Sequence, residues 1–436
     1  MIYIVCPANK ATGGPELLHQ LAYKLNMFGF DATMLYLNCT PGKSPVCDSY
    51  QGYQVPWTEK MQPDPEDIII LPEINIPLAH QLADYRCIIW WLSVNNAVYS
   101  AEDLAYMQQC ETIYHFAQSY YAVDFLKNQL HIPQERTFYL SDYLNSEFFT
   151  DLDAAASKER EPVVLFNPKK GFDKTVRLIS KSDYRIKWQA LNGLTPYGMR
   201  ETMKQAKIYI DFGKHPGKDR IPREAAMCGC LVLTNRAGSA AYEEDVPIPE
   251  EYKFSDKDSD DYILSKIYRL LEEYDSRITG YADYLQMIKG EYIRFETDTL
   301  QIFSHLTGRK LNVPNTPEGC ITDMLSAIES GDYSSALTQL TCYRIHQFPE
   351  TVTIDIIETI IRMSIGEYGE TKICIGRGLS KDAENYELHL YAAQLYYTLG
   401  CPQLVRDHCE KALLYSKGSA DESAIQNSCE QLLSNI

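Results

Sequence analysis

Hydrophobic positions in the first 310 residues fall into short apolar runs separated by polar or amphipathic stretches. The runs are short enough for buried strands, and they are Ile2–Pro7, Ala32–Leu37, Asp67–Leu71, Cys87–Leu92, Thr112–Phe116, Val163–Phe166, Lys187–Leu191, Ile208–Phe212 and Leu231–Thr234. Several are followed by segments with helical periodicity, which include Pro15–Phe28, Ser119–Leu130, Asp173–Ser180 and Pro196–Ala206. Because strands and helices alternate, the pattern predicts α/β structure with doubly wound parallel sheets.

Three glycines recur at a nearly constant spacing in the last part of the chain. The motifs GDY at Gly331, GEY at Gly366 and GCP at Gly400 are 35 residues (331 to 366) and 34 residues (366 to 400) apart. Tetratricopeptide repeats, which are stacked pairs of helices, have a period of about 34 residues. We therefore expect an all-α repeat domain with a glycine in the turn of each helix pair. Such stacks bind other protein chains, and a purely structural helical cap is the alternative.

Two polar stretches mark the domain boundaries. DAAASKEREP, residues 153–162, is charged like a linker, and VPNTPEG begins at Val313. The expected domains are residues 1–155 and 156–312, each Rossmann-like, and the helical repeats in 313–436.

Composition limits the possible partners and location. The net charge of −18 argues against non-specific binding to nucleic acid. No apolar run approaches the roughly 18 residues of a membrane span, and the first strand begins at the N-terminus, so we expect no transmembrane segment or signal peptide. The 13 cysteines include no CxxC pair and no zinc spacing, which favours reduced thiols in a cytoplasmic protein.

A basic loop lies between the strand Ile208–Phe212 and a helix predicted over Pro222–Cys228. It carries cationic side chains close to the helix N-terminus: Lys214, His215, Lys218, Arg220 and Arg223. Cations, free N–H groups and the helix dipole together favour an anion such as a diphosphate. Glu224, in the first turn of the predicted helix, could accept hydrogen bonds from ribose hydroxyls. A solvated charged loop is the alternative.

Polar residues in the first half follow strands in the same way. Gly13 and Gly14, within ATGGPE, would let a ligand approach the backbone, although a plain tight turn is the alternative. Ser93, Asn95 and Asn96 follow the strand Cys87–Leu92, and ligands of open α/β sheets bind beyond the carboxyl ends of strands. They are candidates for contact with an acceptor. His115, at the end of the next strand, is a further candidate or a structural histidine.

The stretch PREAAMCGCLVLTN resembles the donor-binding segment of retaining glycosyltransferases of the family 4 type. These enzymes have the GT-B architecture, two Rossmann-like domains facing a cleft. The resemblance covers roughly residues 1–310 and implies that Glu224 binds the donor ribose. The family has another glutamate eight positions earlier, where this chain has Pro216. His215 or Asp219 could replace it.

The resemblance also implies the other donor contacts. The double-glycine loop would lie near the donor phosphates and the acceptor, and a basic residue after the strand Val163–Phe166 would contact the diphosphate. Lys170 is the first choice for that residue and Lys169 the second. The nucleotide base would lie beyond the strand Lys187–Leu191. The expected donor-binding residues are Gly13, Gly14, Asn167, Lys170, Leu194, Thr195, Lys218, Arg220, Arg223 and Glu224.

Together these observations predict a glycosyltransferase of hexosyl or N-acetylhexosaminyl type. It would transfer a sugar from a nucleotide sugar, UDP-sugar first among them, to a glycan or protein acceptor. His215, Lys218 and Glu224 are the candidate catalytic residues. The resemblance implies retention of configuration, and basic groups could stabilise the leaving diphosphate without a metal or another cofactor. An inactive adaptor that binds a nucleotide sugar is the alternative, because the first glutamate is absent.

Overall fold

A computed structural model describes residues 1–149, 160–311 and 314–436. Its strands are β1 (Ile2–Pro7), β2 (Ala32–Leu37), β3 (Trp57–Thr58), β4 (Ile68–Pro72), β5 (Arg86–Trp91), β6 (Ile113–Ala117), β7 (Thr137–Tyr139), β8 (Glu161–Phe166), β9 (Lys187–Ala190), β10 (Ala206–Asp211), β11 (Leu231–Asn235) and β12 (Lys253–Phe254). Its α-helices are α1 (Gly13–Met27), α2 (Ala101–Gln109), α3 (Tyr120–Asp124), α4 (Phe172–Lys181), α5 (Pro196–Gln205), α6 (Arg220–Met227), α7 (Asp260–Glu272), α8 (Tyr274–Arg277), α9 (Ala282–Thr307), α10 (Pro317–Glu329), α11 (Tyr333–Ile345), α12 (Val352–Ser364), α13 (Tyr368–Lys381), α14 (Tyr386–Thr398), α15 (Pro402–Tyr415) and α16 (Glu422–Ser434).

The first sheet is parallel, with the strand order β3-β2-β1-β4-β5-β6-β7. Its central strands are buried on both faces, which explains why they read as continuous apolar runs. Ile4 of β1 pairs with Met34 on one side and Ile70 on the other. This register brings the carboxyl ends of β1, β4, β5 and β6 to one edge of the sheet, where the polar loops follow.

The second sheet is also parallel, with the order β12-β11-β10-β8-β9. The predicted strand Ile208–Phe212 lies in its centre as β10, between β8 and β11. The carboxyl ends of β8 and β10 therefore place Lys170 and the basic loop at the same edge. Two doubly wound parallel sheets confirm the predicted α/β fold class.

Most predicted elements occur within one or two residues of their expected bounds, but some short ones were missed. The strands β3 and β12 have two residues each and exist because a neighbouring strand pairs with them. The predicted helix Ser119–Leu130 divides into α3 and a π-helical segment, Phe125–Gln129. Helix α6 begins at Arg220, two residues before the predicted start. Glu224 therefore lies in its second turn, which corrects the expected first-turn position.

The chain separates into two compact units. Both sheets belong to the first, residues 1–144 and 160–309, and the second contains residues 145–149, 310, 311 and 314–436. The predicted domain boundaries at 155/156 and 312/313, and most of the predicted linker DAAASKEREP, lie outside the described residues. Among the helices that are described, none is long and apolar enough to cross a membrane.

The second unit consists of helices, which confirms the all-α prediction for this region. Helices pair as α10 with α11, α12 with α13, and α14 with α15. Gly331, Gly366 and Gly400 lie in the three turns with φ of 76°, 79° and 69°, a left-handed conformation that favours glycine. The 34- to 35-residue spacing thus reflects three helical hairpins. Their assignment as tetratricopeptide repeats stays a prediction.

A buried ion-pair network joins α11, α12 and α13 in this unit. Glu358 is fully buried, and its carboxylate contacts Arg344, Arg362 (3.0 Å) and Arg377 (2.5 Å). Burial would raise the pKa of Glu358, but the guanidinium groups of Arg344, Arg377 and Arg362 hold it well below its usual range. The carboxylate therefore stays ionised and compensates the charges of side chains from all three helices.

We expect Glu358→Gln to destabilise the protein by about 3–5 kcal/mol, because buried guanidinium groups lose their shared counter-ion. Chemical denaturation followed by circular dichroism would measure the change. Glu410→Gln, at an exposed position of α15, is the matched control and should change stability by less than about 0.5 kcal/mol. Equal effects of the two substitutions would contradict a central role for Glu358.

Candidate functional site

A cavity of about 580 Å³ lies where the carboxyl ends of the two sheets face each other. The first half of the unit lines it with residues that follow β1, β4, β5 and β6: Gly13, Gly14, Glu73, Ser93, Asn96 and Gln118. The second half contributes Lys170, after β8, and residues 216–220, after β10. The double-glycine loop and the basic loop, far apart in sequence, thus line one cavity of a size suited to a small organic ligand.

The basic loop is held by hydrogen bonds around His215, which is 1% exposed and has a φ of 44°. His215 Nδ1 lies 2.8 Å from Asp219 Oδ2, and Nε2 lies 3.2 Å from the carbonyl oxygen of Asp211. Both neighbours accept hydrogen bonds, so the ring holds both protons. Burial lowers the pKa of His215, but the hydrogen bond to Asp219 and the charges of Asp211 and Asp219 raise it overall. His215 thus organises the loop as a cation.

The acid groups around His215 could in principle hold a metal ion. Ligand atoms of Asp211, His215 and Asp219 all lie within 4.8 Å of one another. However, Asp211 already accepts hydrogen bonds from the Tyr209 hydroxyl (3.0 Å) and the Gly213 N–H (2.9 Å). Asp219 accepts from His215 and contacts Lys170 Nζ at 2.5 Å. An ion would have to displace these donors, so the donor set fits a metal poorly.

Predicted donor-binding cations line the cavity with carboxylate partners already in place. Lys170 pairs with Asp219, and Arg220 pairs with Glu16 of α1. Lys218 Nζ lies 2.7 Å from Glu291 of α9, and both side chains are buried. Lys10 also lines the cavity, is exposed, and forms no ion pair with any residue that the structure describes. A diphosphate in the cavity could therefore pair directly with Lys10. To pair with Lys170 and Arg220, it would have to compete with their carboxylate partners.

Arg223 is buried and forms ion pairs with two acids of the protein itself. It is 1% exposed, and its guanidinium group donates to Asp142 Oδ2 (2.8 Å) and Glu291 Oε2 (2.6 Å). Burial lowers its pKa, but Asp142 and Glu291 hold the pKa of Arg223 above its usual range. The network joins the first half, α6 and α9, and it leaves Arg223 away from the cavity lining.

Glu224 lies one residue further along α6 and is half-buried. Burial raises its pKa to about 7, although the charges of Arg220 and Arg223 act in the opposite direction. No described side chain donates a hydrogen bond to its carboxyl group. The acid can therefore accept hydrogen bonds from a ligand, although it is not part of the cavity wall itself.

Backbone contacts fix the basic loop against the first half. The N–H of Lys218 donates to Gln118 Oε1 (2.8 Å), and the N–H of Val94 donates to the carbonyl of Pro216 (2.8 Å). Gly217 packs directly on the carbonyl of Leu92. Asp245, from the second half, accepts from the N–H groups of Tyr120 and Tyr121 at the start of α3. These contacts set the separation of the cavity walls.

The predicted acceptor-contacting residues differ in their position relative to the cavity and in their burial. Ser93 and Asn96 line the cavity, and Asn96 Nδ2 donates to Ser93 Oγ (2.9 Å). Asn95 is exposed and contacts the Tyr121 hydroxyl. His115 is fully buried and accepts from Trp91 Nε1–H (3.1 Å), and burial lowers its pKa to about 3. That location argues against contact between His115 and an acceptor.

The predicted base-binding residues and Asn167 also lie off the cavity lining. Thr195 is exposed and caps α5 by accepting from the Gly198 N–H (3.1 Å). Leu194 beside it is 40% exposed. Asn167 is buried, and its side chain accepts from the Lys169 N–H, which shapes the turn that presents Lys170. All three stay predictions for donor binding.

The sequence interpretation overlooked Glu73, Gln118, Asp142 and Glu16. Glu73 directly follows β4 and Gln118 directly follows β6. Ligands of open α/β sheets bind beyond the carboxyl ends of strands, so this position, which made Ser93 a candidate, applies equally to them. Asp142 and Glu16 carry no such signal. Their importance comes from partners distant in sequence, Arg223 and Arg220.

Comparison with known proteins identifies the fold. No protein-family model and no curated protein sequence matches the chain. Among solved structures, HepE of Anabaena in complex with UDP-glucose is 12% identical, with a TM-score of 0.51, covering 70% of this chain and 99% of that one. Sucrose-phosphate synthase from Thermosynechococcus elongatus is 13% identical, with a TM-score of 0.52, and the match covers 71% of this chain and 99% of that one. A glycosyltransferase from Rickettsia africae is 13% identical, with a TM-score of 0.51, and the match covers 71% of this chain and 99% of that one.

The first compact unit has the GT-B fold. Identities this low establish the fold alone, so the chemistry of this chain must be argued from its own residues. The GT-B architecture places the cavity between two Rossmann-like halves, as the sequence predicted.

Gly217→Ala tests whether the contact between the halves shapes the cavity. An added Cβ would overlap the Leu92 carbonyl oxygen, so the loop must move away. We expect a loss of about 1–3 kcal/mol in unfolding free energy, as for other overpacked sites. Thermal unfolding would measure it. Gly52→Ala is the control, since an added Cβ there meets no atom within 4 Å. A Gly217→Ala protein as stable as the control would contradict the close contact.

Proposed function

We propose that this protein is a glycosyltransferase that uses a nucleotide sugar, with a UDP-sugar as the first candidate. The observation that carries the proposal is the convergence of Gly13, Gly14, Lys170 and the basic loop on one cavity between the GT-B halves. The HepE structure with the same fold is a complex with UDP-glucose, which supports a UDP-sugar donor.

In this proposal the donor diphosphate lies beside Lys170 and Arg220, near the start of α6. The phosphate charge would replace Asp219 and Glu16 as the counter-ion of these side chains. The backbone N–H groups of the glycine loop and of the first turn of α6 add dipoles that favour an anion. Lys218 and Arg223, paired with Glu291 and Asp142, keep the loop in place and add positive potential behind it.

Glu224 is the proposed ligand of the donor ribose. As a carboxylate without a described donor, it can accept hydrogen bonds from two vicinal hydroxyls. Leu194 and Thr195, near the carboxyl end of β9, are proposed to lie beside the base. Asn167 would act by shaping the turn of Lys170.

The reaction transfers a hexosyl or N-acetylhexosaminyl group to a hydroxyl of a glycan or protein. The bond between the anomeric carbon and the diphosphate oxygen breaks, and its electron pair stays on the diphosphate. Lys170, Arg220 and the start of α6 stabilise that developing charge, so no metal is required. Retention is proposed, with the leaving phosphate accepting the proton of the attacking hydroxyl. His215, already a buried cation between Asp211 and Asp219, positions the loop.

The second candidate, an adaptor without activity, rests on Pro216 in place of the family's first glutamate. In the structure Pro216 lines the cavity. His215 and Asp219, the two residues that could replace the glutamate, are hydrogen-bonded to each other. An idle site would have no need for the basic loop and Lys170 at the cavity wall, nor for Glu224 in the adjoining helix. We therefore favour the enzyme.

The helical hairpins are proposed to bind a protein partner or acceptor. A cytoplasmic location is proposed with them, since all 13 cysteines are free thiols.

Thermal shift and calorimetry with a panel of nucleotide sugars would test donor binding. We expect selective binding to the wild type and about 10- to 100-fold weaker binding by Glu224→Gln, because a charge-assisted hydrogen bond is lost. Glu272→Gln, an exposed acid of the same half, should bind like the wild type. A chelator should leave binding unchanged. If no nucleotide sugar stabilises the wild type, the proposal is wrong.

Donor affinity should depend on pH through Glu224. Its pKa is raised to about 7, so the carboxylate is present above pH 7 and lost as pH falls through it. We expect the wild-type Kd to rise between pH 8 and pH 6, with a much flatter profile for Glu224→Gln. The same calorimetric titrations at both pH values would measure this. Identical profiles would exclude Glu224 as the ionising group.

A further inference from the structure

Glu73 is a buried acid at the first-half wall of the cavity. It follows β4 directly, is 4% exposed and lines the cavity together with Gly14 and Ser93. The N–H of Leu92 donates to its Oε2 (3.1 Å), and the N–H groups of Glu73 itself and of Ser93 also act to lower the pKa of the acid. The acid is thus held rigidly beside the segment that was predicted to contact the acceptor.

Glu73 differs from the other acids around the cavity because no described cation pairs with it. Asp142 pairs with Arg223, Asp219 with Lys170, and Glu16 with Arg220. Burial raises the pKa of Glu73 to about 7, against the lowering effect of the backbone donors. A buried carboxyl group without a counter-ion is costly, so its presence at a cavity wall requires an explanation.

A role limited to holding Leu92 and Ser93 does not require an acid. The carbonyl oxygen of a glutamine side chain would accept from the same N–H groups without the cost of burying a charge. A carboxylate offers more acceptor positions than those N–H groups fill, and the cavity lies on its open side. A carboxylate binds groups that donate hydrogen bonds. A cationic donor would be repelled by Lys10, which lines the same cavity and pairs with no described acid, so a neutral hydroxyl fits best.

We infer that Glu73 binds a hydroxyl group of the acceptor, and that the acceptor is therefore a neutral, hydroxyl-rich group such as a sugar at this position. The inference rests on the proposed glycosyltransferase function, since the donor would occupy the opposite wall formed by Lys170 and the basic loop. Glu73 accepts a hydrogen bond from the acceptor and orients it. The proton of the attacking hydroxyl still goes to the leaving phosphate.

Other charges share the cavity and must be considered in any titration. They are Lys10, Asp142, Lys170, Lys218, Asp219 and Arg220. The two acids among them, Asp142 and Asp219, have lowered pKa values although burial acts to raise them. The charges of Arg223, Lys218 and Arg220 lower the pKa of Asp142. His215 and Lys170 lower the pKa of Asp219. Neither titrates near neutral pH, whereas Glu73 does.

The test is binding of methyl glycosides to the full-length protein saturated with UDP. Methyl α- and β-glycosides of glucose, galactose, mannose and N-acetylglucosamine serve as probes, followed by NMR titration. Glu73→Gln keeps an acceptor for Leu92 and Ser93 but removes the charge. Glu66→Gln is the matched control, because Glu66 is exposed at the other end of β4. UDP affinity of each variant reports whether the donor wall is intact.

We expect at least one glycoside to bind the wild type and Glu66→Gln equally, and Glu73→Gln about tenfold more weakly, with unchanged UDP affinity. Wild-type affinity for the glycoside should fall as pH drops through about 7, while that of Glu73→Gln stays flat. A purely structural role would not produce this difference in pH profile.

Two results would overturn the inference. One is equal glycoside affinity and equal pH profiles in the wild type and Glu73→Gln. The other is binding of UDP to the wild type without binding of any neutral glycoside. Both results leave the proposed donor site intact. Failure of the wild type to bind any nucleotide sugar would instead overturn the proposed function, and this inference with it.

Discussion

The buried charges around Arg223 connect the parts of the first unit on which the cavity depends. Asp142 comes from the first half, Arg223 from α6, Lys218 from the basic loop and Glu291 from α9. Removing one member would leave another buried charge uncompensated, which costs far more than losing a surface pair. The network therefore fixes the position of the basic loop relative to the first half, and so the width of the cavity.

The same constraint bears on how a strongly acidic chain could present the proposed anion site. Its basic side chains are not a free cluster, because carboxylates neutralise most of them in the described structure. Lys218 is used in the network, whereas Lys170 and Arg220 line the cavity and each pairs with a carboxylate outside the network. Electrostatic attraction for a diphosphate would then come from an exchange of counter-ions, with free Lys10 and the dipoles of the glycine loop and α6 adding to it.

Two acids stand apart from these ion pairs, and each belongs to a different half. Glu224 lies in α6, off the cavity lining, whereas Glu73 lies in the wall formed by the first half. Burial raises the pKa of both acids to about 7. Their placement suits ligands that donate hydrogen bonds without carrying negative charge. A donor ribose on one side and an acceptor hydroxyl on the other would meet this requirement. The cavity lining also contains Lys10, Lys170 and Arg220, whose charges suit phosphate.

The sequence by itself determined the sheets, the helical hairpins and the location of the two loops. Local patterns carry this information, since apolar runs such as Ile68–Leu71 must be buried and glycines such as Gly366 adopt φ values that other residues avoid. Only the tertiary structure decided which charges remain available to a ligand. Arg223 and Lys10 look alike in sequence, but Asp142 and Glu291 neutralise one and no described group neutralises the other. Ion pairing depends on residues far apart in the chain, so no local pattern could reveal it.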